Sequence, residues 1–185
     1  MRNVFSVYRQ RFAKGRVYSP IAYFCGALLR RRFTDAGALA WLRGSPMPNI
    51  RNDHRGTIVA GDVALYPDVT LICRPGARLS VGDGTYINRN TFLFAEKEIS
   101  VGEDCMISWD VIITDTDGFG EERNPGGARP VKIGDRVWIG SKAVILGGAV
   151  IGDNVVVAGG SVVTGEVATG AIVATRPAHE IGRVE

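Results

Sequence analysis

Pro130–Val167 reads PVKIGDRVWIGSKAVILGGAVIGDNVVVAGGSVVTGEV. Ile133, Ile139, Ile145, Ile151, Val157 and Val163 fall six residues apart in this stretch. Four positions after each of these heads comes a small or β-branched residue: Val137, Ala143, Ala149, Val155, Ser161 and Val167. Gly134, Gly140, Gly152 and Ala158 directly follow four of the heads. A helix repeats about every 3.6 residues and a strand about every 2, and neither gives this beat. A period of six headed by β-branched residues fits a β-helix, in which each hexad is one short strand and a corner. Three hexads, roughly 18 residues, close a triangular coil whose aliphatic heads stack on those of the next. Small residues near the corners keep the interior uncrowded, and glycine there opens backbone angles closed to other residues.

The beat continues upstream in shorter runs, Val101–Ile107–Ile113 and Val81–Ile87–Leu93. Two extra residues separate Leu93 from the Val101 frame, which predicts a bulge or small protrusion near Glu96–Glu98. A second break follows Ile113. Residues 118–129 (GFGEERNPGGAR) are polar, rich in Gly and Pro, and carry no apolar head, as expected of a loop extruded from a coil. Between Ile58 and Val81 the repeat is degraded, and these first coils are expected to cap the prism. The reading is one domain of five to six coils. It has an N-terminal arm over 1–55, helical or irregular, the β-helix over 56–175 and a short tail over 176–185.

Charge is distributed unevenly. Residues 1–34 hold eight of the 22 basic residues (Arg2, Arg9, Arg11, Lys14, Arg16, Arg30, Arg31 and Arg32) and no acid. The rest of the chain carries 14 basic against 19 acidic residues. Between the arginine groups lies the apolar run Val17–Leu29, too short to span a bilayer and interrupted by Pro20. It lacks a small-residue cleavage site, so a signal peptide is not expected. Two compatible roles stay open for residues 1–34: packing across the open end of the prism, or contact with anionic lipid. Nucleic acid is not an expected partner, because the basic residues lack interleaved aromatics. Cys25, Cys73 and Cys105 show no paired spacing and are read as free thiols of a reducing cytoplasm. His54 and His179 are the only histidines, too few for a three-histidine zinc site, and no metal is expected.

From about Gly56 to Arg183 the chain resembles the hexapeptide-repeat acyltransferases, in particular the xenobiotic, maltose, galactoside and capsular-sugar O-acetyltransferase group. VKIG-x-x-VWIGS followed by AGGSVVT carries the resemblance most strongly, and EDCMISWDVIITDTD (Glu103–Asp117) adds to it. The resemblance implies an all-β, left-handed parallel β-helix. It implies a homotrimer with active sites in the grooves between neighbours, acetyl-CoA as acyl donor, and a sugar or glycolipid hydroxyl as acceptor, such as a cell-envelope precursor. It implies acceptor contacts at Asn88, Glu96 and Trp109. Cofactor contacts fall at Ser108, Trp138, Gly140, Ser141, Gly159, Gly160 and Thr164.

The chain departs from the family at three places. Phe119 stands where the capsular-sugar branch has its catalytic histidine, and neither His54 nor His179 aligns with it. Asp115 and Asp117 are therefore candidate substitute bases, provided that desolvation raises a carboxyl pKa. Gly165 replaces a lysine that follows VVT in the family, and His179 replaces a terminal Lys or Arg. Arg176 or Arg183 is expected to supply positive charge for the nucleotide end of coenzyme A. The departures leave a second reading open, a catalytically silent homologue that binds a ligand or partner.

Overall fold

The aliphatic heads of the six-residue beat point inward. Ile133, Ile139, Ile145, Ile151, Val157 and Val163 are all buried in one continuous core. The computed structural model describes residues 20–37, 40–41, 47–52, 56–116, 127–175 and 177–184. They form an all-β, left-handed parallel β-helix with a short N-terminal helix.

Three parallel sheets make the three faces. The first face stacks Asp35–Ala36, Thr57–Ala60, Arg78–Val81, Glu98–Val101, Val131–Ile133, Val150–Ile151 and Glu166–Val167. The second stacks Ala40–Trp41, Ala64–Leu65, Tyr86–Ile87, Met106–Ile107, Trp138–Ile139, Val156–Val157 and Ala171–Ala174. The strand His179–Arg183 closes that face by pairing antiparallel with Ala171–Ala174. The third stacks Asn49–Asn52, Thr70–Cys73, Phe92–Ala95, Ile112–Thr114, Val144–Ile145 and Val162–Val163. Register confirms the 18-residue coil: Ile133 pairs with Ile151, Ile139 with Val157 and Ile145 with Val163.

The described residues make six full coils and part of a seventh. The prism thus begins at Asp35, inside the segment expected to be an arm up to residue 55. Asp35–Ala36 already pairs with Val59–Ala60, and Asn49–Asn52 with Thr70–Cys73. This first coil has no regular beat, because it has a neighbour on one side only. Instead the helix Pro20–Leu29 closes the open end, with Leu29 and Phe33 joining the core beside Ala36, Ile50 and Ile58.

The three corners differ in how they tolerate length. From first face to second, and second to third, the heads keep steps of six: Val81–Ile87–Leu93, Val101–Ile107–Ile113, Ile133–Ile139–Ile145 and Ile151–Val157–Val163. From Val81 onward the irregularity falls at the third-to-first edge, whereas the first two coils also shorten the first-to-second step to five residues, Ala60 to Leu65. The two extra residues after Leu93 and the segment between Ile113 and Ile133 both lie there. The insertion is pinched at its base, where the Arg129 N–H donates to the Asp115 carbonyl at 2.8 Å and the Gly148 N–H donates to the Arg129 carbonyl at 3.1 Å. Residues 117–126, which include most of the expected loop over 118–129, lie outside the described residues.

The outer surfaces also differ. Beyond its inward heads, the first face presents Arg78, Ser80, Glu98, Ser100, Lys132 and Glu166, with Val59 and Val150 as exceptions. The second presents the column Tyr86, Trp138, Val156 and Ile172, with Met106 of the same column buried. The third presents Phe92, Phe94, Ile112, Val144 and Val162, with the Phe92 and Phe94 rings stacked 6.2 Å apart. The first face is mainly polar and the second apolar, and the third is apolar beyond Asn49, Arg51 and Thr70 of its first two coils.

Candidate active site

The corner between second and third faces carries most of the expected site residues, and hydrogen bonding puts them in line. The Asn88 N–H donates to the Ile107 carbonyl, Ser108 N–H to the Ile139 carbonyl, and Gly140 N–H to the Val157 carbonyl. Asn88, Ser108, Gly140 and Ala158 therefore occupy the same place in four successive coils. Neighbouring coils stand about 4.8 Å apart, so the run from Asn88 to Gly140 is about 10 Å long. Ser141, Gly159 and Gly160 belong to the same edge, where the Gly160 N–H donates to the Ser141 carbonyl at 2.8 Å.

Trp138 and Trp109 flank this line. The Trp138 indole N–H donates to the Ser108 hydroxyl at 3.2 Å, so its ring leans from the second face toward the edge. Trp109 protrudes at the corner, 55% exposed. Asn90 donates to the Asp110 carboxylate at 3.1 Å, and Lys142 lies 3.9 Å from the same carboxylate. Asn88 turns its Oδ1 toward the N–H of Arg89 at 2.9 Å.

Gly140 has a structural reason to be small that the cofactor does not supply. A Cβ there would sit 2.5 Å from the Gly159 nitrogen. Gly160, at φ +72°, occupies the left-handed region that favours glycine. Stacking of the coils accounts for both glycines. Gly159 leaves backbone exposed at this edge and Gly160 partly so, whereas Gly140 is buried between the coils.

Glu96, Asp115, Thr164 and Gly165 sit on a different edge, the irregular one between third and first faces. Across the third face the two edges are about 16 Å apart, five extended residues at roughly 3.3 Å each. One chain does not bring Asn88 and Glu96 to the same hydroxyl.

Asp115 was expected as a substitute base. It is buried, and both carboxylate oxygens are in use. Oδ1 accepts the Glu96 N–H at 2.8 Å, and Oδ2 accepts the N–H groups of Lys97 and Glu98 at 2.6 Å each. Burial pushes its pKa above the usual carboxylate value, and the three amides pull it back. A carboxylate held by three short bonds fixes the protrusion at Glu96–Glu98 and has little freedom to shuttle a proton. This clamp was missed in the sequence, because its partners are backbone amides.

The nucleotide end differs from expectation in a similar way. The Arg183 guanidinium pairs with both oxygens of Glu180 at 3.0 Å and donates to the Thr169 carbonyl at 3.2 Å. It is thus held by its own strand and the turn at Thr169 while its side chain stays 58% exposed. His179 lies 2.9 Å from the Thr175 hydroxyl, a pairing not anticipated from the sequence. Asp117, Phe119, His54 and Arg176 lie outside the described residues. Among the described residues no group of three His, Cys, Asp or Glu side chains is placed to hold a metal.

A left-handed β-helix whose heads recur every six residues defines a hexapeptide-repeat protein. Residues 130–165 match the bacterial transferase hexapeptide (six repeats) family. The chain is similar to Nodulation protein L of Rhizobium meliloti (strain 1021), 40% identical over 114 residues, covering 60% of this chain and 62% of that one. It is similar to the galactoside O-acetyltransferase of Escherichia coli (strain K12), 31% identical over 113 residues, covering 59% and 56%. In fold it resembles AntD, an N-acyltransferase from Bacillus cereus, with a TM-score of 0.72 at 21% identity, covering 91% and 89%. The matched segment, residues 130–165, carries the family's hexapeptide repeat, and the fold around it is the left-handed β-helix. The chain spans about three fifths of the length of the curated relatives it matches.

Proposed function

We propose that this chain, as a homotrimer, transfers an acetyl group from coenzyme A to a hydroxyl of a sugar or glycolipid. The observation that carries the reading is the line Asn88–Ser108–Gly140–Ala158 along one edge. A polar acceptor position stands at one end of it and the exposed backbone of Gly159, for the pantetheine arm, at the other. The similar galactoside enzyme is an O-acetyltransferase, and a solved galactoside acetyltransferase holds coenzyme A, which supports the donor and the acceptor class.

The faces support the trimer. Two mainly apolar outer faces and one mainly polar face suit a three-fold assembly in which each prism covers two faces and wets the third. The Asn88 edge lies between the two apolar faces, so such packing turns it inward against the neighbouring copies.

In the reaction the acceptor oxygen attacks the thioester carbonyl carbon, the C–S bond breaks and the coenzyme leaves as its thiol. The hydroxyl proton needs a base. With Asp115 committed to three amides, Asp117 is the carboxylate left for that proton. The Asp115 clamp fixes the corner that carries Glu96.

One sequence observation favours a second reading, a binding scaffold without turnover: Phe119 stands in the family's histidine position. Titration calorimetry with acetyl-CoA, followed by thiol release in the presence of a sugar panel, separates the two. Binding together with acceptor-dependent thiol release supports the enzyme. Binding without release supports the scaffold, the more so if Phe119→His gains release by about 10²–10⁴-fold. Absence of acetyl-CoA binding overturns the enzyme and leaves the silent scaffold.

A further inference from the structure

The helix Pro20–Leu29 (PIAYFCGALL) has no charged residue on either side. Ala22, Gly26 and Leu29, spaced by four and three, form its buried stripe. An ordinary surface helix would place polar residues opposite that stripe. Here Ile21, Phe24 and Leu28 stand there instead, 52%, 70% and 62% exposed. Leu29 joins the core of the first coil, so the opposite stripe points away from the open end of the prism. The next turn is Arg30–Arg32, and all three arginines are exposed.

From this combination we infer that the helix and its arginine turn form a docking surface for an anionic lipid bilayer. The helix lies in the interface with Phe24 and Leu28 among the acyl chains and Arg30–Arg32 among the headgroups. At ten residues it is about 15 Å long, and among the described residues no helix is long and apolar enough to cross a membrane. An apolar face beside a cationic cluster is the pattern of a helix lying on a membrane surface. Charge decides between lipid and a second copy of the chain. Residues 1–34 contain no acid, so two copies meeting through this helix would set their arginines against each other. A lipid surface bearing phosphate diesters supplies the missing anions.

The test is sedimentation of the full chain with vesicles of phosphatidylcholine containing about 30% phosphatidylglycerol, against vesicles of phosphatidylcholine alone. Binding is expected to the anionic vesicles and to weaken by tenfold or more between ~0.1 M and ~1 M salt. Phe24→Ser/Leu28→Ser is expected to lower partitioning about tenfold or more. Arg30→Gln/Arg31→Gln/Arg32→Gln should lower it by on the order of 100-fold, at roughly fivefold per arginine. All five side chains are exposed, so both variants should keep the wild-type circular dichroism and melting temperature. The proposal is overturned if the wild type ignores anionic vesicles, or if the Phe24/Leu28 variant binds like the wild type. It is also overturned if, without lipid, that variant reduces the oligomer size, because the face would then cover protein.

Discussion

The carboxylate of Asp115 takes the backbone N–H of Lys97 at 2.6 Å, tying one coil to the protruding corner of the coil before it. The same side chain holds Glu96 and Glu98 through their amides. This buried anchor stands where the chain departs from the regular prism.

Asp115→Ala leaves three amides without their acceptor. Hydrogen bonds to charged groups contribute about 1.5–3 kcal/mol each, with part regained by water entering the corner. A loss of about 3 kcal/mol in urea denaturation is expected. Asp115→Asn keeps the shape and one carbonyl oxygen, and should lose about half as much. A fall below about 0.5 kcal/mol for the alanine variant would show that the clamp does not hold the corner.

Cys105 gives a pH dependence with a defined sign. Its thiol is buried and donates to the Gly134 carbonyl at 3.1 Å, and burial pushes its pKa from 9.0 up to about 11. The folded state therefore keeps its proton over a range in which the unfolded chain has lost it. Stability from this group is complete below pH 9.0, falls as pH rises, and is gone above about 11. The shift of two units corresponds to about 3 kcal/mol. Cys105→Ala should flatten the stability profile between these limits, and Cys105 should resist alkylation at about pH 9, where an ordinary thiol is half ionised, until the protein unfolds.

Two glycines separate stacking from ligand space. A Cβ on Gly140 meets the Gly159 backbone at 2.5 Å, whereas a Cβ on Gly165 meets nothing within 4 Å. Gly140→Ala should cost about 1–3 kcal/mol of stability through overpacking and weaken acetyl-CoA binding by displacing the Gly159 backbone. Gly165→Ala should leave stability within about 0.5 kcal/mol of wild type. Thermal melts and titration calorimetry of the two variants side by side check both effects.

These residues also mark how far the sequence carries. The inward column from Ile133 to Val163 was legible because each head repeats the same environment 18 residues on. Ala36 and Ile50 belong to the same core but were not assigned to a coil, since the end coil packs against a helix rather than another coil on one side. Gly140 was read as room for a ligand, yet the backbone of the next coil already forbids a side chain there. The split of Asn88 and Glu96 onto different edges was hidden for a geometric reason. Eight residues along the chain turn one corner and cross a whole face. Asp115 looked like chemistry because a carboxylate in a family motif signals a base, while its amide partners leave no trace in side-chain identity.

The proposed packing of the faces yields a prediction about assembly. Ile112 is 41% exposed at the middle of the apolar third face, in register with Phe92 and Val144. Ile112→Lys places a charge in the proposed contact between copies, where it has no partner and loses its water. The inward heads are untouched, so the prism itself should fold and keep its circular dichroism. Burying an unpaired charge costs several kcal/mol, enough to push the equilibrium to monomers at micromolar concentration. Sedimentation velocity should then show the mass of one chain, and acceptor-dependent thiol release should disappear with the trimer. A monomeric variant that kept full turnover would mean that one edge holds a complete site. A variant that stayed trimeric would mean that the third face does not lie in the contact.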